Sequence, residues 1–202
     1  MRHYFIANPD LPTDERVLPV RIFGREFHFV TTSGLFSYEK PDAASLLLLE
    51  VIQSTQPPLS GALLDLGCGY GLLGIVLAKA HAREDARLTL SDTNAIACAY
   101  AERNAKKNNV SAKIIHSDGF AAMETRFHAI VHNPPIHAGK DTLYRLYEEA
   151  ATNLHPGGAL YLVIQKKHGA ESTLAFLNPL FHQVKILYKR KGYFVLRCEV
   201  RA

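Results

Sequence analysis

The chain has 202 residues, of which 48% are hydrophobic and 21% charged, with no Trp. That is one ordinary globular domain and too apolar for a disordered chain. No uninterrupted apolar run approaches the ~20 residues that span a bilayer, and the opening MRHYFIANPDLP lacks a basic segment followed by an apolar one, so neither a membrane anchor nor a signal peptide is expected. Cys68, Cys98 and Cys198 are odd in number and widely spaced. They exclude a disulfide framework, point to a reducing cytoplasm and offer no structural metal site. The net charge of +4 is unevenly spread. Residues 166–202 hold eight Lys/Arg against two Glu, a net +6, and residues 1–165 hold 15 basic against 17 acidic side chains. A basic end on a near-neutral body suits a polyanionic partner or a solvated surface hairpin.

In chain order, residues 19–32 predict two short strands around a turn at Phe23-Gly24-Arg25-Glu26. Pro41-Asp42 opens a helix through LLLLEVIQ, with Asp42 near its cap, and PPLSG at 57–61 closes it. A regular alternation follows. ALLDL (62–66) is a buried-type strand, then come GCGYG and the apolar-periodic 72–80. RLTLSD (87–92) is a strand, 94–109 an Ala-rich helix, 112–118 a third strand and 127–133 a fourth. A helix over 142–154 is broken by Pro156-Gly157-Gly158, and 159–165 is a fifth strand. Alternating strands and helices predict a parallel sheet covered on both faces, with ligands bound beyond the strands' carboxyl ends. The segments 184–189 and 193–200 are joined too tightly for a parallel crossover, so they predict an antiparallel hairpin.

Between the first strand of the alternation and its helix lies Asp65-Leu66-Gly67-Cys68-Gly69-Tyr70-Gly71. Glycines there allow a tight turn and close approach of a ligand to backbone. Gly69, Gly71 and Gly74 also fit the dinucleotide signature G-x-G-x-x-G, and Asp92, 18 residues after Gly74, can accept both ribose hydroxyls of an adenosine. NAD and S-adenosylmethionine both satisfy these features. No Lys or Arg occurs in 62–78, which suits a sulfonium better than a pyrophosphate. Asn133-Pro134-Pro135 follows the fourth strand. An exocyclic amine is a poor nucleophile because its lone pair is delocalised. The Asn133 side-chain carbonyl and the Pro134 main-chain carbonyl can each accept one amine N–H and turn that lone pair toward a methyl donor, while Pro135 stiffens the loop.

The D-L-G-C-G-Y-G stretch resembles the first motif of class I S-adenosylmethionine-dependent methyltransferases, and the terminal hairpin is similar to the end of that family's sheet. The resemblance implies a Rossmann-like α/β sheet over 41–202, preceded by an N-terminal hairpin extension over 1–40. It implies that Asp65, Gly67, Gly69 and Gly71 form the cofactor loop, that Asp92 holds the ribose, that Asp118 reaches the adenine amine and that Asn133 borders the cofactor. Asn133-Pro134-Pro135-Ile136 resembles the N-P-P-[FYWI] signature of enzymes that methylate nitrogen on planar systems. His137 and Gly139, with Ser33-Gly34-Leu35-Phe36-Ser37 and Pro41-Asp42 upstream, are similar to small-domain ribosomal RNA guanine-N2 methyltransferases, without the N-terminal domain of the bacterial enzymes.

The resemblance thus implies methyl transfer from S-adenosylmethionine to guanine N2 of ribosomal RNA or an assembly intermediate, in the cytoplasm and without a metal. Catalysis falls to Asn133, Pro134 and Pro135, and substrate contact to Phe36, Ile136 and His137. Adenine-N6 or protein-glutamine methylation, an NAD-dependent oxidoreductase and a non-catalytic RNA-binding module are the alternatives. Phe36 and Tyr38 are candidates for stacking on a base. His116, His128 and His132 read as packing residues, and Cys68 as a small filler.

Overall fold

The computed structural model describes residues 14–135 and 139–202. It opens with the antiparallel pair β1 (Arg16–Ile22) and β2 (Arg25–Thr31). Their turn is only Phe23-Gly24, both at positive φ (53° and 72°), the backbone that a two-residue hairpin with right-handed strand twist requires. Helix α1 (Ala43–Thr55) begins at Asp42, whose Oδ2 accepts the Ser45 N–H at 2.8 Å.

Next come β3 (Ala62–Leu66), α2 (Leu72–Ala80), β4 (Arg87–Asp92), α3 (Ala95–Lys107), β5 (Ala112–His116), β6 (Phe127–His132), α4 (Lys140–Thr152), β7 (Leu154–Gln165), α5 (Ala170–Leu180), β8 (Gln183–Arg190) and β9 (Tyr193–Glu199). The last seven strands form one sheet in the order β5-β4-β3-β6-β7-β9-β8. The first five are mutually parallel, and β9 runs antiparallel to both neighbours. The expected sheet and its terminal hairpin are therefore present. Buried Leu63, Leu90, Val131, Val163 and Val195 share a core with α1–α3. Leu64, Leu66, Ile130, Leu162 and Leu196 share a second core, to which Tyr147 and Ala150 of α4 and Leu177 of α5 also belong. This is the period-two alternation of a sheet covered on both sides.

One expectation about the elements is corrected and one element is added. Pro156-Gly157-Gly158 does not separate helix from strand. It lies inside β7 as a bulge, where pairing to β6 jumps from Phe127↔Leu154 to Ala129↔Ala159. A Cβ on Gly158 would stand 2.8 Å from the His155 carbonyl oxygen, so the close backbone approach demands glycine. Helix α5, unassigned from the sequence, begins at Ala170 and contains Pro179.

The first hairpin lies outside the large sheet. Phe27 and Phe29 are fully buried in the core under α1–α3. Asn104 of α3 and Asn108, which caps that helix, pair with the free edge of β2. The Asn104 Oδ1 accepts the Val30 N–H at 2.7 Å, and its Nδ2 donates to the Val30 carbonyl at 2.8 Å and the Tyr70 carbonyl at 2.9 Å. Asn108 repeats the pattern on His28 at 3.0 and 2.9 Å. Four helix residues advance ~6 Å and two strand residues ~6.7 Å, so i,i+4 carboxamides meet alternate residues of one strand edge.

Candidate active site

The carboxyl ends of β3, β4, β5, β6 and β7 open into one cleft of ≈ 570 Å³. Its wall includes Gly67–Tyr70 after β3, Asp92–Asn94 at β4, Ser117–Gly119 after β5, Asn133–Pro135 after β6 and Gln165 at the end of β7. Leu35, Phe36 and Ser37, which follow the first hairpin, and Asp42 and Ser45 of α1 complete it.

The glycine loop is built for close approach. Gly67, Gly69 and Gly71 have φ of 69°, 54° and 92°. A Cβ built on Gly69 meets nothing within 4 Å, so the loop surface there is open to a ligand. A Cβ on Gly71 would lie 2.7 Å from Ile75 Cδ1, so Gly71, absent from the cleft wall, serves packing and not the cofactor face expected of it. Gly74 serves packing. Its Cβ would lie 2.5 Å from Leu90 Cδ2 and 2.9 Å from Asp65 Cβ, and only glycine lets α2 settle this closely on the sheet.

Asp65 takes a different place from the one expected. It is 1% exposed and absent from the cleft wall, and its Oδ2 accepts the Gly74 N–H at 2.7 Å, tying the loop to α2 from behind. Burial lifts its carboxyl to about 7, against the Gly74 N–H, and the Asp92 charge adds to the rise. Asp92 is in the cleft. Its Oδ2 accepts the Gly69 N–H at 2.8 Å and its Oδ1 the Asn94 N–H at 2.9 Å, so one carboxylate shapes the glycine loop and starts the turn into α3. Asp118 also lines the cleft but is exposed, and its Oδ1 accepts from Arg145 Nη2 at 2.7 Å. Arg145 of α4, which the sequence reading passed over, also pairs with Glu149 at 2.7 Å.

Asn133 is half-buried. Its Nδ2 donates to Asp42 Oδ2 at 2.8 Å and to Ser45 Oγ at 2.8 Å, which uses both amide hydrogens and leaves Oδ1 as an acceptor. Pro134 and Pro135 continue the wall. Ile136 and His137 lie outside the described residues. Phe36 is 65% exposed at the cleft, whereas Tyr38 lies under the Arg16 guanidinium, 5.5 Å from its ring centre.

The three histidines separate. His116 is exposed, its Nε2 2.8 Å from the Thr93 carbonyl oxygen. His128 is also exposed and its Nδ1 accepts the Ala62 N–H at 3.0 Å, so neither packs in the core as expected. His132 is 1% exposed and reaches the cleft wall beside Asn133. Burial lowers it to about 4, against its bond to the Leu66 carbonyl and the Asp92 charge. The neutral ring donates Nδ1–H to Leu66 O at 2.7 Å and leaves Nε2 without a partner among the described residues. Cys68 is buried, and burial pushes its thiol well above the ordinary range, so it is no ready nucleophile. No cluster of metal-ligating side chains occurs among the described residues, and no helix among them is long and apolar enough to cross a membrane.

A glycine loop, an acid at the second parallel strand and an Asn-Pro-Pro loop on one cleft, under a sheet with a reversed strand, are the parts of a class I methyltransferase. The methyltransferase small domain model matches residues 26–197, and the chain belongs to that family. It is similar over its length to the uncharacterized protein YbxB of Bacillus subtilis, 34% identical over 200 residues and covering 98% of each. It is 37% identical over 161 residues to the ribosomal RNA small subunit methyltransferase C of Pseudomonas aeruginosa, covering 78% of this chain and 47% of that one. Among solved structures, the T. thermophilus 16S rRNA N2 G1207 methyltransferase in complex with AdoMet and guanosine superposes with a TM-score of 0.82 at 34% identity, over 96% of this chain and 52% of that one. The chain thus spans about half the length of these two ribosomal RNA methyltransferases.

Proposed function

We propose that this protein transfers a methyl group from S-adenosylmethionine to an exocyclic amine, that of guanine N2 in ribosomal RNA. The observation that carries the reading is the Asn133 carboxamide, held with its carbonyl oxygen free on the same cleft as the glycine loop. The relatives named for ribosomal RNA methylation support the substrate class, and the neighbour holding AdoMet and guanosine supports cofactor and base together.

The cleft suits this cofactor. Gly67 and Gly69 leave room for its methionine part, Asp92 accepts from ribose hydroxyls and Asp118 from the adenine amine. When bound, S-adenosylmethionine supplies an electrophilic methyl on a sulfonium. Asn133 Oδ1 and the Pro134 carbonyl accept the two amine hydrogens and orient the nitrogen. Phe36, with its exposed ring at the cleft, stacks on the base. No strong base is required, because the amine nitrogen becomes positively charged on taking the methyl and is then acidic enough to shed its proton to water. The acceleration is positioning.

The rim fits an RNA backbone. The Lys166 N–H donates to the Gly192 carbonyl at 2.7 Å, which joins the segment after β7 to the β8–β9 turn. Exposed Lys166, Lys167, Arg190 and Lys191 therefore stand together next to Gln165 and His168 of the cleft wall.

Calorimetry with S-adenosylmethionine and with NAD, followed by single-turnover transfer to 16S RNA and its assembly intermediates, tests the reading. S-adenosylmethionine is expected to bind and NAD not. Asp92→Ala should cost about 1–3 kcal/mol of cofactor affinity, through the lost ribose acceptor and the loosened Gly69 N–H. Binding of NAD alone would overturn the cofactor, and methyl transfer to a protein amide but to no RNA would overturn the substrate.

A further inference from the structure

We propose that Asp42 and Ser45, in the first turn of α1, are positioning residues for the methyl acceptor: they lock the Asn133 carboxamide so that only its carbonyl oxygen is offered to the incoming amine. The inference rests on the transferase reading above and adds to it residues lying 91 and 88 positions away in sequence.

A carboxamide has two nearly isosteric orientations of opposite chemistry. In the one observed, Nδ2 lies 2.8 Å from Asp42 Oδ2 and 2.8 Å from Ser45 Oγ. The reverse would set Oδ1 against the Asp42 carboxylate, oxygen on oxygen, and would turn the NH2 group toward an amine that itself presents N–H donors. The choice between a productive acceptor and a blocking donor is thus made by the clamp.

The clamp is itself fixed. Asp42 Oδ2 also accepts the Ser45 N–H at 2.8 Å, so the carboxylate that caps α1 is the one that holds Asn133. Leu48, Leu49 and Ile52 of the same helix are fully buried, which anchors the cap at the cleft wall. The carboxylate also polarises the amide, making Oδ1 a stronger acceptor than a solvated carboxamide. The groups around this contact are Ser45, His132 beside Asn133 in the chain, and the Tyr70 phenol. Burial, and after it the Asp42 charge, holds that phenol well above its ordinary range.

The test compares single-turnover rates, KM and cofactor affinity of four variants. D42A/S45A is expected to lose about 100-fold in kcat, with KM and S-adenosylmethionine affinity changed less than about threefold, the mark of an interaction used at the reacting centre. D42N preserves the helix cap, since Asn caps as well as Asp, and separates catalysis from folding. It keeps an acceptor for Asn133 and should lose about tenfold. In N133D two carboxylates face each other across the clamp, so the rate falls and its pH optimum moves to lower pH. In D42N/N133D the amide introduced at 42 donates to the carboxylate introduced at 133, and at least tenfold of the loss should return. A wild-type kcat in D42A/S45A, or an N133D rate unaffected by adding D42N, overturns the proposal. Side-chain amide resonances of Asn133 read the clamp without substrate. In wild type they are protected from exchange, and in D42A/S45A they collapse to solvent-like values. Unchanged resonances overturn the clamp, whereas absence of methyl transfer to RNA by the wild type overturns only the function it serves.

Discussion

The molecule contains two β-hairpins with the same local device and opposite fates. Phe23-Gly24 joins β1 to β2 and Lys191-Gly192 joins β8 to β9, each pair at positive φ. The second hairpin enters the main sheet through β9, which pairs with β7 along Ala159–Gln165. The first pairs with no strand of that sheet. It is held by two buried phenylalanines and by the carboxamides of Asn104 and Asn108, which supply to one strand edge what another strand would have supplied. Turn chemistry decides that a hairpin forms, and the partner of its outer edge decides where it goes. Both hairpins serve the cleft. The chain leaving the first carries Leu35, Phe36 and Ser37 into the wall, and the turn of the second stands at the basic rim.

The largest effect should come from the polar edge. Asn104→Ala would leave the Val30 N–H and the carbonyls of Val30 and Tyr70 buried without partners. Urea unfolding should show a loss of about 3 kcal/mol, with the hairpin amides exchanging first. A loss below ~1 kcal/mol would mean that Phe27 and Phe29 alone hold the hairpin.

A second, smaller effect separates the hairpins by role. Neutralising Lys189, Arg190 and Lys191 should lower the salt slope of RNA binding by about one per lost phosphate contact and weaken binding by roughly tenfold at moderate salt, while cofactor affinity stays constant. Neutralising Arg21, on the exposed side of β1, should leave the slope unchanged. An unchanged slope in the triple variant would reduce the basic rim to a solvated surface.

The smallest effect probes the turns themselves. Lys191 is exposed at φ 50°, so Lys191→Asn should raise stability by about 0.5 kcal/mol, because Asn tolerates the left-handed region better. Phe23 sits at φ 53° but packs against the core, so Phe23→Asn should lose stability in thermal melts despite the same backbone relief. Equal outcomes in the two turns would erase the distinction.

These contrasts follow what the sequence makes visible. The bounds of β3, α2 and β4 agree residue for residue with the alternation, helped by Gly67 and Gly71 between β3 and α2 and by Asp92 at the end of β4. The cleft's glycines, Asp92 and Asn133 were legible for a related reason: Gly67 and Asn133 directly follow a strand and Asp92 ends one. Helix α5 was not. Its buried stripe is only Ala170, Thr173 and Leu177, and Pro179 reads as a breaker. Asn104 and Asn108 read as polar residues of a solvated helix, since nothing local says that a strand edge lies against them. Asp42 was visible as a cap. Its second task, on Asn133, depends on a fold that joins residues 91 positions apart.

The order of the sheet has a consequence for how the chain is made. β9 comes later in the sequence than β7 and β8, yet it lies between them. While the polypeptide is being synthesised, β7 and β8 are both available before the strand that separates them. The unpaired backbone edge of β7 must wait uncovered, and β8 has no correct neighbour to pair with. The half-sheet from β5 to β6 can assemble as it emerges, whereas the other half closes in one event when β9 is released. A ribosome-stalled chain ending before Tyr193 should therefore already protect the glycine loop and Asn133 from proteolysis while remaining sticky along β7, and such chains are the ones in which chaperones and premature self-association compete.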